Sequence, residues 1–186
     1  MNIVKTPIPD LLLFEPKIFG DNRGFFFESF SERVLKDNNI NIRFVQDNQS
    51  SSCYGVIRGL HYQLPPHAQT KMVRVLEGAV LDVVVDIRKG SPTYGEAYSI
   101  ELSAENKKQL FVPAGFAHGF SVLTERAQLF YKCDAFYNKE SEGGISFKDP
   151  ALNIDWKIPT DKAIVSDKDK VLPDLKDCKN TFEFKG

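Results

Sequence analysis

KMVRVLEGAVLDVVVDIRKGSPTYG, residues 71–95, decides the fold class. Val73, Val75, Leu81, Val83, Val85 and Ile87 recur at every second position on either side of Glu77-Gly78, which is the period of a strand and not of a helix. Glu77-Gly78 interrupts the pattern where a hairpin turn would sit, so the stretch predicts two strands. Outward from it, "EAYSIELS" (96–103) and "KQLFVPAG" (108–115) flank the polar "AENK", while "HGFSVLT" (118–124) and "QLFYKCDAFYN" (128–138) flank "ERA". Turn signals at this spacing belong to a sandwich or barrel. One short helix is predicted at "SFSERVLKDNN" (29–39), where Ser29 or Ser31 supplies the cap and Glu32 stands three residues after Ser29. From about Pro159 the chain has prolines, lysines and little periodicity, which predicts a tail packed over the body as turns and short helical pieces. The class that results is all-β, a double-sheet jelly roll or small barrel with a few short peripheral helices, whose interior can hold a small ligand.

Length and charge narrow the function. A chain of 186 residues suits one well-buried core better than two, so a single domain over 1–186 is expected. The net charge of -1 comes from 24 basic and 25 acidic residues spread along the chain, and no basic block offers a footprint for a phosphate backbone; nucleic acid is not an expected partner. No apolar run approaches the ~20 residues of a membrane span, and the start "MNIVKTPIPDLLLFEPK" is not basic and then apolar as a signal peptide would be. No membrane partner is expected, and a cytoplasmic location is. Cys53, Cys133 and Cys178 are widely spaced with no C-x-x-C pair, the pattern of reduced thiols.

The chemistry concentrates in a few places. "RGLHYQLPPHAQTK" (58–71) holds His61 and His67, two of the three histidines. Arg58 and His61 are three apart and fall on opposite faces of a regular strand, but a bulge at Gly59 would let both converge on one cavity. His118 lies between Gly115 and Gly119 in an apolar strand; Tyr131 and Tyr137 are six apart and share a face if their strand is regular; Asp167 and Asp169 stand two apart in "IVSDKDK". Each residue also has an ordinary reading. A lone histidine in an apolar strand is commonly a satisfied structural residue, a tyrosine a half-buried aromatic with its hydroxyl at the surface, and an Asp pair before lysines a turn or helix start. Lys71 and Arg58 read equally well as solvent-facing charges, and His67 as a loop residue.

"FVPAGFAH" (111–118) resembles the second motif of the cupin jelly rolls, the double-stranded β-helix proteins that often bind iron, manganese or zinc. The first cupin motif needs a His-x-His pair and an acid; here the pair would be His61 and Gln63, a poor substitute for imidazole, and Lys71 stands where a nearby acid would be wanted. A cupin without a metal is the expectation, with no cofactor.

The stretches "FGDNRGFFFESF", "DNQSSSCYGVIRGLHYQLPPHAQTK" continuing to Gly95, "FVPAGFAHGFSVL", "FYKCDAFYN", "DPALNIDWKIP" and "VSDKDK" together resemble the dTDP-4-dehydrorhamnose 3,5-epimerase family over residues 5 to about 175. The resemblance implies a nucleotide-linked 4-keto-6-deoxyhexose as substrate. Carbons 3 and 5 of such a sugar flank the ketone, so their protons are removable through an enolate, with neither nicotinamide nor metal. It implies His61 as base, suited by an unperturbed imidazole pKa of ~6.5; Asp169 as the partner that fixes its tautomer; Tyr131 as the acid on the other face; and Lys71 as the cation at the enolate oxygen. For binding it implies Arg58 at the diphosphate, His118 at the sugar or diphosphate, Asn48, Ser50 and Gln46 near the nucleotide or sugar, and Tyr137 at the nucleotide. It also implies a homodimer in which an N-terminal strand region, about 1–30, is exchanged, so that Arg23, Phe26 and Glu28 complete the partner's pocket. Three other readings stay open: a sibling that inverts only carbon 5 or isomerises the keto sugar, a metal-dependent cupin oxygenase, and a non-catalytic sugar-binding jelly roll.

Overall fold

A computed structural model describes residues 1–186. In chain order its elements are β1 (Asn2–Lys5), β2 (Leu12–Glu15), β3 (Phe19–Asp21), β4 (Gly24–Phe26), α1 (Glu32–Asp37), β5 (Gln46–Cys53), β6 (Val56–Gln63), β7 (Lys71–Glu77), β8 (Ala79–Asp86), β9 (Ala97–Ser103), β10 (Gln109–Val112), β11 (Phe116–Val122), β12 (Arg126–Cys133), β13 (Glu142–Gly144), β14 (Ile164–Val165) and α2 (Asp167–Lys170). Two sheets face each other. The first has the order β1-β2-β10-β7-β12-β5; the second runs β13-β6-β11-β8-β9, with β14 added in parallel beside β6. This is the expected all-β jelly roll with few helical pieces.

Glu77-Gly78 separates two strands as the pattern predicts, but it does not close a hairpin. β7 pairs with β10 and β12 in the first sheet, β8 with β9 and β11 in the second. Gly78 turns the chain from one sheet to the other at φ +71°, and a Cβ there would collide with the Arg126 carbonyl and the Thr124 hydroxyl. A turn residue ends a strand equally well at a hairpin and at a corner between sheets, so local sequence does not separate the two.

Inner residues of both sheets, among them Val73, Val75, Val80, Val84, Leu102, Leu110, Phe116, Phe120 and Leu129, form the central core. β8 is buried along its whole length. Its even-numbered residues face the sandwich interior, and Leu81, Val83 and Val85 face outward under a second layer built from Ile145, Phe147, Leu152, Trp156 and Phe182. The tail therefore does pack over the body, and it begins well before Pro159. On the outer face of the first sheet, α1 buries Leu35 against Phe14, Met72 and Phe111. Of the two cap candidates it is Ser31 whose hydroxyl accepts from the Val34 N–H; Ser29 lies outside the helix. The three thiols are free, with Cys133 buried, Cys178 half-buried and Cys53 exposed.

β1 and β2 are integral to the first sheet, and Leu11, Leu13 and Phe14 are buried in this chain's own core. Only the β3–β4 hairpin stands apart as a two-stranded sheet, exposing Phe19, Phe25 and Phe26.

Candidate active site

A cavity of about 520 Å³ opens between the sheets, lined by residues of both. On the second sheet β6 carries Arg58 and His61. The strand is paired His61 to His118 and Arg58 to Phe120, so one residue of β6 is extra between those pairs and both side chains point to the same face. Gly59 makes this possible. Its φ is +122°, and an added Cβ would sit 2.5 Å from the Gly119 Cα and 2.9 Å from the His118 carbonyl oxygen, backbone atoms that have nowhere to go. Arg58 and His61 both line the cavity, together with His118 from β11.

Asp169 comes from a distant piece of chain. Ser166 caps α2 by accepting from the Asp169 N–H, and the short helix delivers the carboxylate beneath β6. Asp169 Oδ1 lies 2.7 Å from His61 Nε2, and Oδ2 accepts from the Gly59 N–H at 3.3 Å. Burial alone would raise the pKa of this carboxyl, but the contacts with His61, Gly59 and Ser166 together outweigh it and hold the pKa below the ordinary value. An ionised carboxylate only accepts, so Nε2 is the N–H of the ring and Nδ1 keeps the lone pair. Asp167, two residues away, is exposed and paired to Lys170.

From the first sheet come Lys71 and Tyr131. Tyr131 is opposite Val73 and Asn48, and Lys71 is opposite Cys133. No carboxylate of this chain lies within ion-pairing distance of the Lys71 ammonium, which sits 5.9 Å from the Tyr131 ring centroid. Burial lowers the Lys71 pKa and raises that of Tyr131, so the phenol is protonated at neutral pH. Along β5 the alternate residues Gln46, Asn48, Ser50 and Ser52 share the less exposed face; Ser50 lines the cavity and the Ser52 hydroxyl accepts from Arg58 Nε at 3.2 Å.

The structure thus brings His61, Asp169, Tyr131, Lys71, Arg58, His118 and Ser50 to one cavity, with Asn48 on the strand beside them and Gln46 bonded to Asn48 Oδ1. Tyr137 differs from the expectation: β12 ends at Cys133, so the shared-face argument stops there and Tyr137 lies in the following loop. Arg23, Phe26 and Glu28 are in or beside the exposed hairpin, outside this chain's cavity, with Arg23 paired to Asp21. His67 is an exposed loop residue.

Sequence reasoning missed Asp82 and Lys168. Asp82 is wholly buried and bonds His118 Nε2 at 2.9 and 3.0 Å, a second histidine–carboxylate pair 36 residues apart in sequence. One acid inside the apolar run "AVLDVVV" (79–85) was the available signal, since a carboxylate in such a strand needs a partner. Lys168 lines the cavity and pairs with Glu142 at 2.7 Å. No three His, Cys, Asp or Glu side chains converge in the way a metal site requires.

A family profile described as dTDP-4-dehydrorhamnose 3,5-epimerase matches residues 5–177. The chain is 55% identical to the dTDP-4-dehydrorhamnose 3,5-epimerase of Shigella flexneri over 170 residues, 91% of this chain and 93% of that one. It is 50% identical to that of Pseudomonas aeruginosa over 171 residues, with the same coverage. Among solved structures, the dTDP-4-dehydrorhamnose 3,5-epimerase of Elizabethkingia anophelis superposes with a TM-score of 0.91 at 54% identity, covering 95% of this chain and 97% of that one. A Legionella pneumophila 3,5-epimerase in complex with dTDP-4-keto-L-rhamnose superposes with a TM-score of 0.90 at 49% identity, covering 94% and 93%. With the profile, the relatives and the solved folds agreeing over nearly the whole chain, this protein belongs to the dTDP-4-dehydrorhamnose 3,5-epimerase family.

Proposed function

We propose that this chain inverts carbons 3 and 5 of dTDP-4-dehydro-6-deoxy-D-glucose to give dTDP-4-dehydro-L-rhamnose, a step of dTDP-L-rhamnose synthesis, by acid–base chemistry of its own side chains. The observation that carries the reading is the pair His61–Asp169 at 2.7 Å in one cavity with Lys71 and Tyr131. Inversion requires a proton to leave one face of the sugar and another to return on the opposite face. His61 rises from the second sheet and Tyr131 from the first, so a sugar lying between the sheets has the base on one side and a protonated phenol on the other. His61 Nδ1 takes the proton beside the ketone; Asp169 stabilises the imidazolium that forms. The Lys71 ammonium, without a carboxylate of its own, is free to meet the charge that moves onto the ketone oxygen. Arg58, His118 and Lys168 add cationic or hydrogen-bonding groups for the diphosphate and sugar.

The proposal extends to assembly. The β3–β4 hairpin, with three exposed phenylalanines and Arg23, reaches a second copy, where Arg23, Phe26 and Glu28 complete the nucleotide pocket. Of the region 1–30, β1 and β2 pair within this chain's own sheet, and the hairpin is the part that stands free to reach a partner.

Incubation with dTDP-4-keto-6-deoxyglucose in heavy water tests the chemistry, with deuterium read at carbons 3 and 5. Exchange at both carbons that survives a chelator and falls on the order of 10³-fold in His61→Ala is the expected result. Exchange at one carbon identifies a single-position epimerase. Absence of exchange in folded protein that binds dTDP removes the catalytic reading.

A further inference from the structure

Residues 134–138, the loop after β12, combine two features that seldom occur together. Phe136 and Tyr137 are 67% and 57% exposed. Yet the backbone beneath them is bonded at every residue: Asp134 N–H to the Thr70 carbonyl, the Ala135 carbonyl from Gln69 Nε2, the Phe136 carbonyl from Gln63 Nε2, Tyr137 N–H to Gln46 Oε1, and Asn138 N–H to Gln63 Oε1. The peptide between Phe136 and Tyr137 is therefore held by a glutamine from each sheet, Gln63 on β6 at its carbonyl and Gln46 on β5 at its N–H.

Gln63 is 5% exposed and has no freedom to do otherwise. The Asn138 N–H, at 2.8 Å, can only donate, so the atom facing it is Oε1; Nε2 then faces the carbonyls of His67 at 2.6 Å and Phe136 at 3.3 Å. The same logic fixes Gln46. Its Oε1 must face the Tyr137 N–H, so its Nε2 donates to Asn48 Oδ1 and the Asn48 amide is left pointing at the Cys133 thiol, opposite Lys71.

Fixing a loop in this way removes the entropy cost of ordering it later, while the exposed rings above it leave apolar area for a flat partner. We propose that Gln63 is a positioning residue: with Gln46 it holds Tyr137 as a preformed stacking surface for the base of the nucleotide sugar. The inference rests on the reading of the cavity as a nucleotide-sugar site.

The test compares wild type, Gln63→Met, Tyr137→Ala and the double variant, measuring kcat and KM for dTDP-4-keto-6-deoxyglucose and the Kd for dTDP. Gln63→Met is expected to raise KM and Kd about tenfold with kcat changed by no more than about twofold, the pattern of a lost binding contact. Added to Tyr137→Ala it is expected to have no further effect, because the ring it positions is gone. Independent, multiplying effects on KM, an unchanged KM, or a fall confined to kcat would each overturn the positioning role. If Gln63→Met does not fold, amide exchange in the wild type decides: the Tyr137 and Asn138 protons exchange at least about 100-fold more slowly than an open loop, and free exchange overturns the claim. A wild type that neither turns over the sugar nor binds dTDP brings down the site reading and this inference together; an active wild type with indifferent variants brings down the inference alone.

Discussion

His61 and Asp169 act as a unit whose charge state is set by burial working against contact. The carboxyl sits 4% exposed, and its contacts with His61, the Gly59 N–H and Ser166 keep it ionised below the ordinary value of 3.8. The unfolded chain therefore takes up this proton first as pH falls. The contribution is complete above about pH 4 and drains as pH drops through the lower, folded value. Asp169→Asn is expected to lower kcat on the order of 10²-fold and to flatten the acid limb of a urea-monitored stability profile; an acid limb as steep as wild type would place the stabilising carboxylate elsewhere. At this scale the sequence spoke clearly for His61 through its motif. It marked Asp82 as a buried acid in need of a partner but did not name His118, because no spacing rule links a residue of one strand to a histidine 36 positions on in a neighbouring strand.

Among the elements, β6 shows how one backbone position sets a site. With a bulge at Gly59, Arg58 and His61 share a face; in a regular strand, three residues apart, they would point to opposite sides. Gly59→Ala brings a methyl within 2.5 Å of a backbone atom of β11 at a φ unfavourable to any side chain. The expected cost is about 2–4 kcal/mol, read as a drop in Tm on the order of 10 °C, with activity lost in whatever folds; a normal Tm and kcat would mean the strand tolerates a regular register. The glycine made the bulge foreseeable from sequence. The corner at Gly78 was not, because the same residue type ends a hairpin and a crossing between sheets.

For the whole molecule, the two chain ends have different work. The C-terminal stretch closes over the second sheet: Phe182 is buried against Tyr62, Phe184 lies 4.9 Å from the Arg88 guanidinium, and Lys89 exchanges backbone hydrogen bonds with Phe182 and Phe184. Deleting residues 180–186 is expected to cost about 3–5 kcal/mol and lower Tm, while kcat measured well below the new Tm stays at the wild-type value, since no cavity residue is removed. The N-terminal hairpin, by contrast, stabilises little within one chain. Replacing residues 19–26 by a Gly-Ser turn is expected to yield a monomer by sedimentation with weakened dTDP binding and a Tm that no longer depends on concentration; a dimer of full affinity would remove hairpin exchange. By itself the sequence determined the strand content, the bulge-forming glycine, the His61 motif and the family, because period and short motifs are local properties of the chain. Only the tertiary structure decided which turns change sheets, that Asp169 and Asp82 reach the two histidines, that Tyr137 leaves the strand, and that the last nine residues seal the outer layer. Each of these depends on the packing of segments far apart in sequence, and no local pattern encodes that distance.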